Sequence, residues 1–386
     1  LDVFAKATAS ADSDEQIIRA HVGLAKVARQ ASLYQEALDS LAIAQEAAER
    51  ENSDGDLAQI HYLRGNLFFP LGRIDDILAS TARALSYADQ SNSFSIQVGG
   101  LSNFGDANYM KGAMATADGF YTQAINLARS LGLNRDLAAN LHNRGAARLY
   151  LCEIKPAKSD AEEALLLARK YFAPVAECVA LASLSAAQFV EGDVATALEL
   201  NRQGIRLGAE IGAQRFEAQA RGYAARILFL QGHLNEAQEM GRSGMELALS
   251  AARHFTSPKE LSAYALTVQD PEEQNRLLST GAEILSEGCV SHCHFFFYSD
   301  AIRIGLASRK WEAVLRYCEL LEAFTRDEPL ALVDLTVHQG RLLVEYGRQG
   351  WSNKLSVEFD GFRARCADLG VKQTLSGLFD KLPGER

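Results

Sequence analysis

Four columns of small residues recur along this chain at a spacing of 40 positions, a rhythm that a single compact core does not impose. One column reads Ala25, Gly65, Gly105, Gly145, Ser185, Ala225, and a second Ala37, Ile77, Ala117, Ala157, Ala197, Ala237. A third reads Ala44, Ala84, Ala124, Ala164, Gly204, Gly244; the fourth, four residues on, runs Ala48, Ala88, Ala128, Ala168, Gly208, Ala248. A fixed period of roughly 20 to 50 residues marks a solenoid, in which each unit buries its apolar face against its neighbours. Growth along one axis then accommodates 386 residues, more than one ordinary core holds.

Within each unit two amphipathic stretches flank a short turn, as in 134–151, 152–156 and 157–170. Gly72, Gly112, Gly192 and Gly232 occupy the turns, where glycine adopts a left-handed backbone at least cost. Asp193 and Asn235 are expected to cap second helices, and Pro156, Pro174, Pro258, Pro271 and Pro329 suit helix starts. Small side chains at a crossing let two helix axes close to about 8 Å. The third and fourth columns form one smooth stripe on the second helix, flanked by Leu127, Leu167, Leu207 and Leu247.

The spacing of Gly65, Gly72, Ile74, then Gly105, Gly112, Met114, Ala117, then Gly145, Ile154, Ala157 resembles the tetratricopeptide repeat. The units exceed the family's usual ~34 residues, which longer helices absorb. The resemblance implies an all-α, tetratricopeptide-like helix-turn-helix solenoid coiled as a right-handed superhelix of about nine helix pairs. The expected organisation is a lead-in at 1–13, six repeats over 14–250, a degenerate repeat or joint at 251–290, and further helical repeats over 291–386. Column positions fail after Ala251, and Pro258 and Pro271 fall in the same interval. Residues 371–386, with Pro383, are expected to form a closing helix and tail.

The run from Ser291 through His292, Cys293, His294, Phe295, Phe296, Phe297, Tyr298, Ser299 and Asp300, followed by Trp311-Glu312 and the stretch Phe324 to Leu330, carries a second resemblance. It is similar to the C-terminal helical tail of bacterial proteins that join a class III adenylate or guanylate cyclase to an AAA-type ATPase module. Similar tails occur on ATPase-containing transcription activators. Cys293 and Ser299 depart from that pattern, which commonly holds Asn and Arg there. The resemblance implies a sensory or coupling role within a bacterial signalling protein, and the start at Leu1 suggests a piece of a longer polypeptide.

A formal charge of −10 disfavours a surface that tracks phosphates, so no nucleic-acid partner is expected. No apolar run approaches the ~20 residues of a membrane span. Six scattered cysteines fit a reducing cytoplasm better than a disulfide framework. The chain lacks the phosphate-loop, dinucleotide, zincin and nucleophile-elbow motifs, so no catalytic residue and no cofactor are expected. Cys289, His292, Cys293 and His294 offer four donors, yet consecutive helical residues point in different directions. The expectation is therefore no metal, with histidines that cap and cysteines that pack. Phe295 to Tyr298 are expected in the core, and Asp300 near a helix start as a dipole partner.

Binding candidates lie on first helices, which line the inner surface of such a superhelix: Tyr62, Asn66, Phe69, Asn103, Asp106, Tyr109, His142, Asn143, Gln219, Arg226 and Phe229. His292, His294, Tyr298 and Asp300 are distal candidates. Amides can pair with an extended peptide's main chain while rings bury its side chains; alternatively the amides only join neighbouring helices. The flanking lysines of peptide clamps in the resembling family are absent from the matching places, which argues against recognition of a terminal carboxylate. The expected partner is a protein or peptide segment, in cis or in trans, and an exposed end unit could support a homodimer.

Overall fold

The computed structural model of the protein describes residues 2–375, with nineteen α-helices and no strand among them. After α1 (Asp2–Ser10) come nine antiparallel pairs. The first six are α2 (Asp14–Gln30) with α3 (Tyr34–Arg50), α4 (Asp54–Phe68) with α5 (Ile74–Ser91), α6 (Phe94–Lys111) with α7 (Met114–Ser130), α8 (Asn134–Tyr150) with α9 (Ile154–Lys170), α10 (Pro174–Val190) with α11 (Val194–Glu210), and α12 (Gln214–Leu230) with α13 (Leu234–Ala251). Then follow α14 (Ser257–Thr267) with α15 (Pro271–Ser286), α16 (Ser291–Ala307) with α17 (Trp311–Phe324), and α18 (Ala331–Gln349) with α19 (Asn353–Asp368).

Local chemistry sets these boundaries. Pro174, Pro258 and Pro271 open α10, α14 and α15, where a missing N–H costs nothing. Asp193 accepts from the Thr196 amide and caps α11. Asn235 does not cap: α13 begins at Leu234, so Asn235 already lies in the first turn. The described part of the expected closing helix, 371–375, is not helical, and its Lys372 and Gln373 amides donate to the Val190 carbonyl. The rest of that segment, including Pro383, lies outside the described residues.

The small columns are buried at the helix crossings, with Ala37, Ala44, Ala48, Ala84 and Ala88 wholly inaccessible. A Cβ on Gly145 would lie 2.9 Å from the Ala157 carbonyl oxygen, closer than backbone and side chain can stand. Each pair packs on the next, and the superhelix turns until its sixth unit meets its first, where Arg215 of α12 donates to the Tyr34 hydroxyl of α3 (3.4 Å).

The distal helices fold back across this curved wall instead of extending it. α16 packs against α6, and α18 against α8. The within-unit turns of the wall meet the distal chain: Gly72 abuts Gly288, Gly112 abuts Phe324 and Gly192 abuts Lys372. Gly72 has φ +73°, and a Cβ there would stand 2.6 Å from the Gly288 oxygen, so both backbone and space demand glycine. Glu328, in the α17–α18 loop, accepts from the Thr116 amide (3.3 Å) and hydroxyl (2.8 Å) at the start of α7. The largest apolar cluster accordingly joins Met114, Tyr121 and Tyr150 of the wall to Phe295, Phe296, Leu332 and Phe359 of the inner layer.

Candidate functional site

The first helices of all six proximal units face a cleft of about 770 Å³, bounded below by Phe255 and His292. Its lining changes character around the wall. From α2 come Lys26, Arg29 and Gln30; from α4, Gln59, Tyr62, Leu63 and Asn66, with Phe69 just beyond. α6 gives Ser102, Asp106 and Tyr109, and α8 gives Arg135, Asp136, His142 and Asn143. α10 presents Pro174, Val175, Ala176, Val179, Ala182 and Ala186, apolar except for Ser183. α12 adds Phe216, Gln219 and Tyr223.

Burial around the cleft tunes its polar groups. The Tyr121 hydroxyl (2.7 Å) and the Asn143 amide (3.3 Å) both donate to Asp106 Oδ1. Desolvation pushes the Asp106 carboxyl up to about 7, against the opposing effect of the Tyr121 hydrogen bond. His142 is buried, its Nδ1 has no hydrogen-bond partner, and burial lowers its pKa to about 4. This imidazole is neutral near pH 7. At the α2 end, Arg29 carries a buried Nε without an acceptor.

At the rim, Phe172 breaks a column. The inter-unit turns place Asn52, Asn92, Gly132, Phe172 and Gly212 at one register, each with positive φ. Phe172, with φ 52°, is 84% exposed and borders the cleft. Left-handed backbone strains a bulky residue, and such strain tends to sit at working sites.

Among the sequence candidates, Tyr62, Asn66, Phe69, Asp106, Tyr109, His142, Asn143, Gln219 and His292 line the cleft together. Asn103 does not: it is buried against Gly65, whose missing Cβ leaves room for its side-chain nitrogen. Beyond its first turn, α6 lines the cleft with positions 102, 106 and 109, and position 103 is turned about 100° away from 102. Lys26, Arg29, Arg135 and Phe172 were not candidates. The 40-residue columns hold a signal for two of them, since Lys26 precedes Asn66 and Asp106, and Arg29 precedes Phe69 and Tyr109.

Arg226, expected to face the groove, and Asp300, expected as a helix-dipole partner, are buried partners of each other. Arg226 Nη2 lies 2.6 Å from Asp300 Oδ2, and the Ser262 hydroxyl donates to the same oxygen at 2.7 Å. Arg226 also donates to the Lys259 carbonyl, 2.5 Å away. Glu260 stands 3.7 Å from Arg226 and 3.2 Å from the Lys259 ammonium, which lies 4.2 Å from the Tyr223 ring centre. Asp300 is in the middle of α16, so it does not answer that helix's dipole. Arg226 shares a column with Asn66 and Asp106, but α14 and α16 cover α12 around Arg226 and enclose that side chain. Phe229 lies beneath Arg303 (5.0 Å) at a narrow cavity that Arg226 and Asp300 also line.

The expected histidine caps are also corrected. His292 hydrogen-bonds the Phe255 carbonyl (2.6 Å), and His294 stacks on Phe324 with ring centres 4.0 Å apart. Cys293 reaches the same Phe255 carbonyl and Cys289 the Ile284 carbonyl, and among the described residues no three His, Cys, Asp or Glu side chains are grouped so as to hold a metal ion. Tyr298 packs beside Tyr317. All six cysteines are buried and free. No helix among the described residues is long and apolar enough to cross a membrane.

No protein-family model matches the chain, and no curated protein matches it in sequence. Solved structures share its fold. A Rap protein complexed with competence and sporulation factor is similar over 92% of this chain and 99% of that one, with TM-score 0.63 and 11% identity. NprR in complex with its cognate peptide NprX is similar over 88% and 98%, with TM-score 0.57 and 10% identity. A signal transduction ATPase with numerous domains and a tetratricopeptide repeat sensor, from Pyrococcus horikoshii, has TM-score 0.46 and 15% identity over 71% of this chain and 43% of that one. This chain spans less than half the length of that ATPase. At such identities the likeness is one of architecture, the tetratricopeptide-type helical solenoid.

Proposed function

We propose that this chain is a non-catalytic regulatory module that binds a short protein segment in its central cleft and couples that binding to a larger signalling protein. The observation that carries the reading is the cleft, about 770 Å³, lined by polar and aromatic side chains from six successive first helices. Amides such as Asn66, Asn143 and Gln219 suit a peptide main chain, and the apolar face of α10 suits its side chains. Peptide complexes of the similarly folded Rap and NprR proteins support the same use of the fold. On this reading residues 14–250 supply recognition, and 251–375 brace the wall from inside. The Ser291–Leu330 resemblance supports a parent that joins a nucleotide cyclase to an ATPase module.

Panning a displayed library of short peptides against the chain tests this, with Ala182→Trp as the control that fills the cleft from a half-buried position. Enriched sequences should bind the parent chain and lose binding to the Trp variant. Absence of enrichment, or indifference to Ala182→Trp, overturns the proposal. A second reading, an effector sensor of an ATPase-containing transcription activator, is favoured by the volume alone, which falls in the small-molecule range of about 300–1,000 Å³. Calorimetry and small-angle scattering across a metabolite panel separate the two, because an effector must prefer one curvature to shift it.

A further inference from the structure

Closure of the superhelix brings cations from its two ends together. Lys26 and Arg29 come from the first unit, Arg215 from the sixth, and Tyr34 stands between the arginines, its hydroxyl 3.4 Å from Arg215 Nη1. Among the described residues no Asp or Glu pairs with any of the three. That is unusual in a chain of formal charge −10, where most other guanidinium groups of the wall have a carboxylate, as Arg50 has Asp14 and Arg144 has Asp160.

The arrangement costs stability in the absence of a ligand. Arg29 Nε is buried with no acceptor, and native proteins rarely leave a buried donor unpaired. Burial lowers the proton affinity of Arg29, and repulsion from Arg215 lowers it further. Arg215 is held in place by rings, its guanidinium 4.5 Å from the Phe216 centroid and 5.5 Å from that of Phe255. Both rings line the cleft, as do Lys26 and Arg29. Planar guanidinium forks fixed at the edge of a partly desolvated cleft match the oxygens of a carboxylate or phosphoryl group.

We infer that Lys26, Arg29, Arg215 and Tyr34 form an oxyanion site that anchors an acidic group of the ligand at the seam between the first and sixth units. This rests on the cleft as the binding site and adds the chemical class of what enters it. It also revises the expectation against carboxylate recognition, because the cations come from the two ends of the repeat array instead of from adjacent repeats.

The test is thermal unfolding of the whole chain in chloride buffers of matched ionic strength, with inorganic phosphate or succinate as probe. Wild type should gain stability saturably with at least one dianion. Succinate alone active marks a carboxylate site, phosphate alone a phosphoryl site, and both a general oxyanion site. Arg29→Met and Arg215→Gln should each weaken the apparent affinity at least tenfold. Arg29→Met should not lower the melting temperature in chloride alone, because it removes an unsatisfied, repelled charge. A dianion response unchanged in both variants, no saturable response in wild type, or loss of stability by Arg29→Met in chloride overturns the inference. A failure here leaves the peptide-panning result standing, whereas loss of peptide binding in Ala182→Trp with the dianion response intact separates the two claims.

Discussion

The outer wall and the inner layer solve the burial problem in opposite ways. In the wall, α2 to α13, helices keep one face in water and bury columns of alanine and glycine, so fit is decided by backbone approach. At the heart of the inner layer α14 has protein on every side: all of it from Ser257 to Thr267 is buried, including Lys259 and Glu260. Its polar groups cannot reach water and must answer one another. The regular half is therefore governed by size, and the enclosed half by charge pairing and ring packing.

The contrast is most sharply broken by removing one partner of the enclosed network. Asp300→Ala should destabilise the chain by about 3–5 kcal/mol, since it removes the carboxylate that Arg226 meets at 2.6 Å in a dry site. Urea unfolding of this variant and of the double variant with Arg226→Met measures the effect, and the double variant should recover part of the loss. Close behind, Ala157→Asp in the wall should cost about 3 kcal/mol through overpacking against Gly145 and a buried unpaired charge. An unchanged melting temperature would mean that size does not govern that crossing.

A smaller effect comes from the cleft, where two groups carry opposite pH signatures. Asp106 holds its proton up to about 7 in the folded chain against an ordinary 3.8, so its contribution to stability falls as pH climbs from about 4 to about 7. His142 titrates at about 4 when folded against 6.5, so its contribution is lost as pH falls through that interval. Asp106→Asn should raise the melting temperature at pH 8, by the equivalent of about 1–2 kcal/mol, and leave it unchanged at pH 3. His142→Gln should flatten part of the acid limb. Smallest of all, Phe172→Gly should stabilise by under about 1 kcal/mol, since relief of left-handed strain is partly offset by glycine's unfolded-state entropy. The same change should weaken any peptide obtained by panning.

The repeat made the wall legible. Periodic columns located the crossings, the glycine turns and most of the residues that share the cleft, because side-chain direction in a regular helix follows from position. Arg226 was misplaced for the reason that the comparison exposes: its column faces the cleft in the early units, and only the return of α14 and α16 encloses it. The seam between Tyr34 and Arg215 joins residues 181 positions apart, and no local pattern encodes such a meeting. Phe172 was legible in principle, as the bulky exception in a register of Asn and Gly, although its place at the rim required the curvature.

That the lining layer follows the wall in chain order has a consequence for biogenesis. A ribosome delivers the shell before its filling, so Met114, Ala147 and Val190 emerge without the partners they later meet in α16, α18 and residues 371–375. During that interval the concave face is a sticky, unfinished surface. Residues 291–375 then act on the nascent protein much as a prosthetic plug would, and termination before α16 leaves a shell that chaperones and proteases can grip.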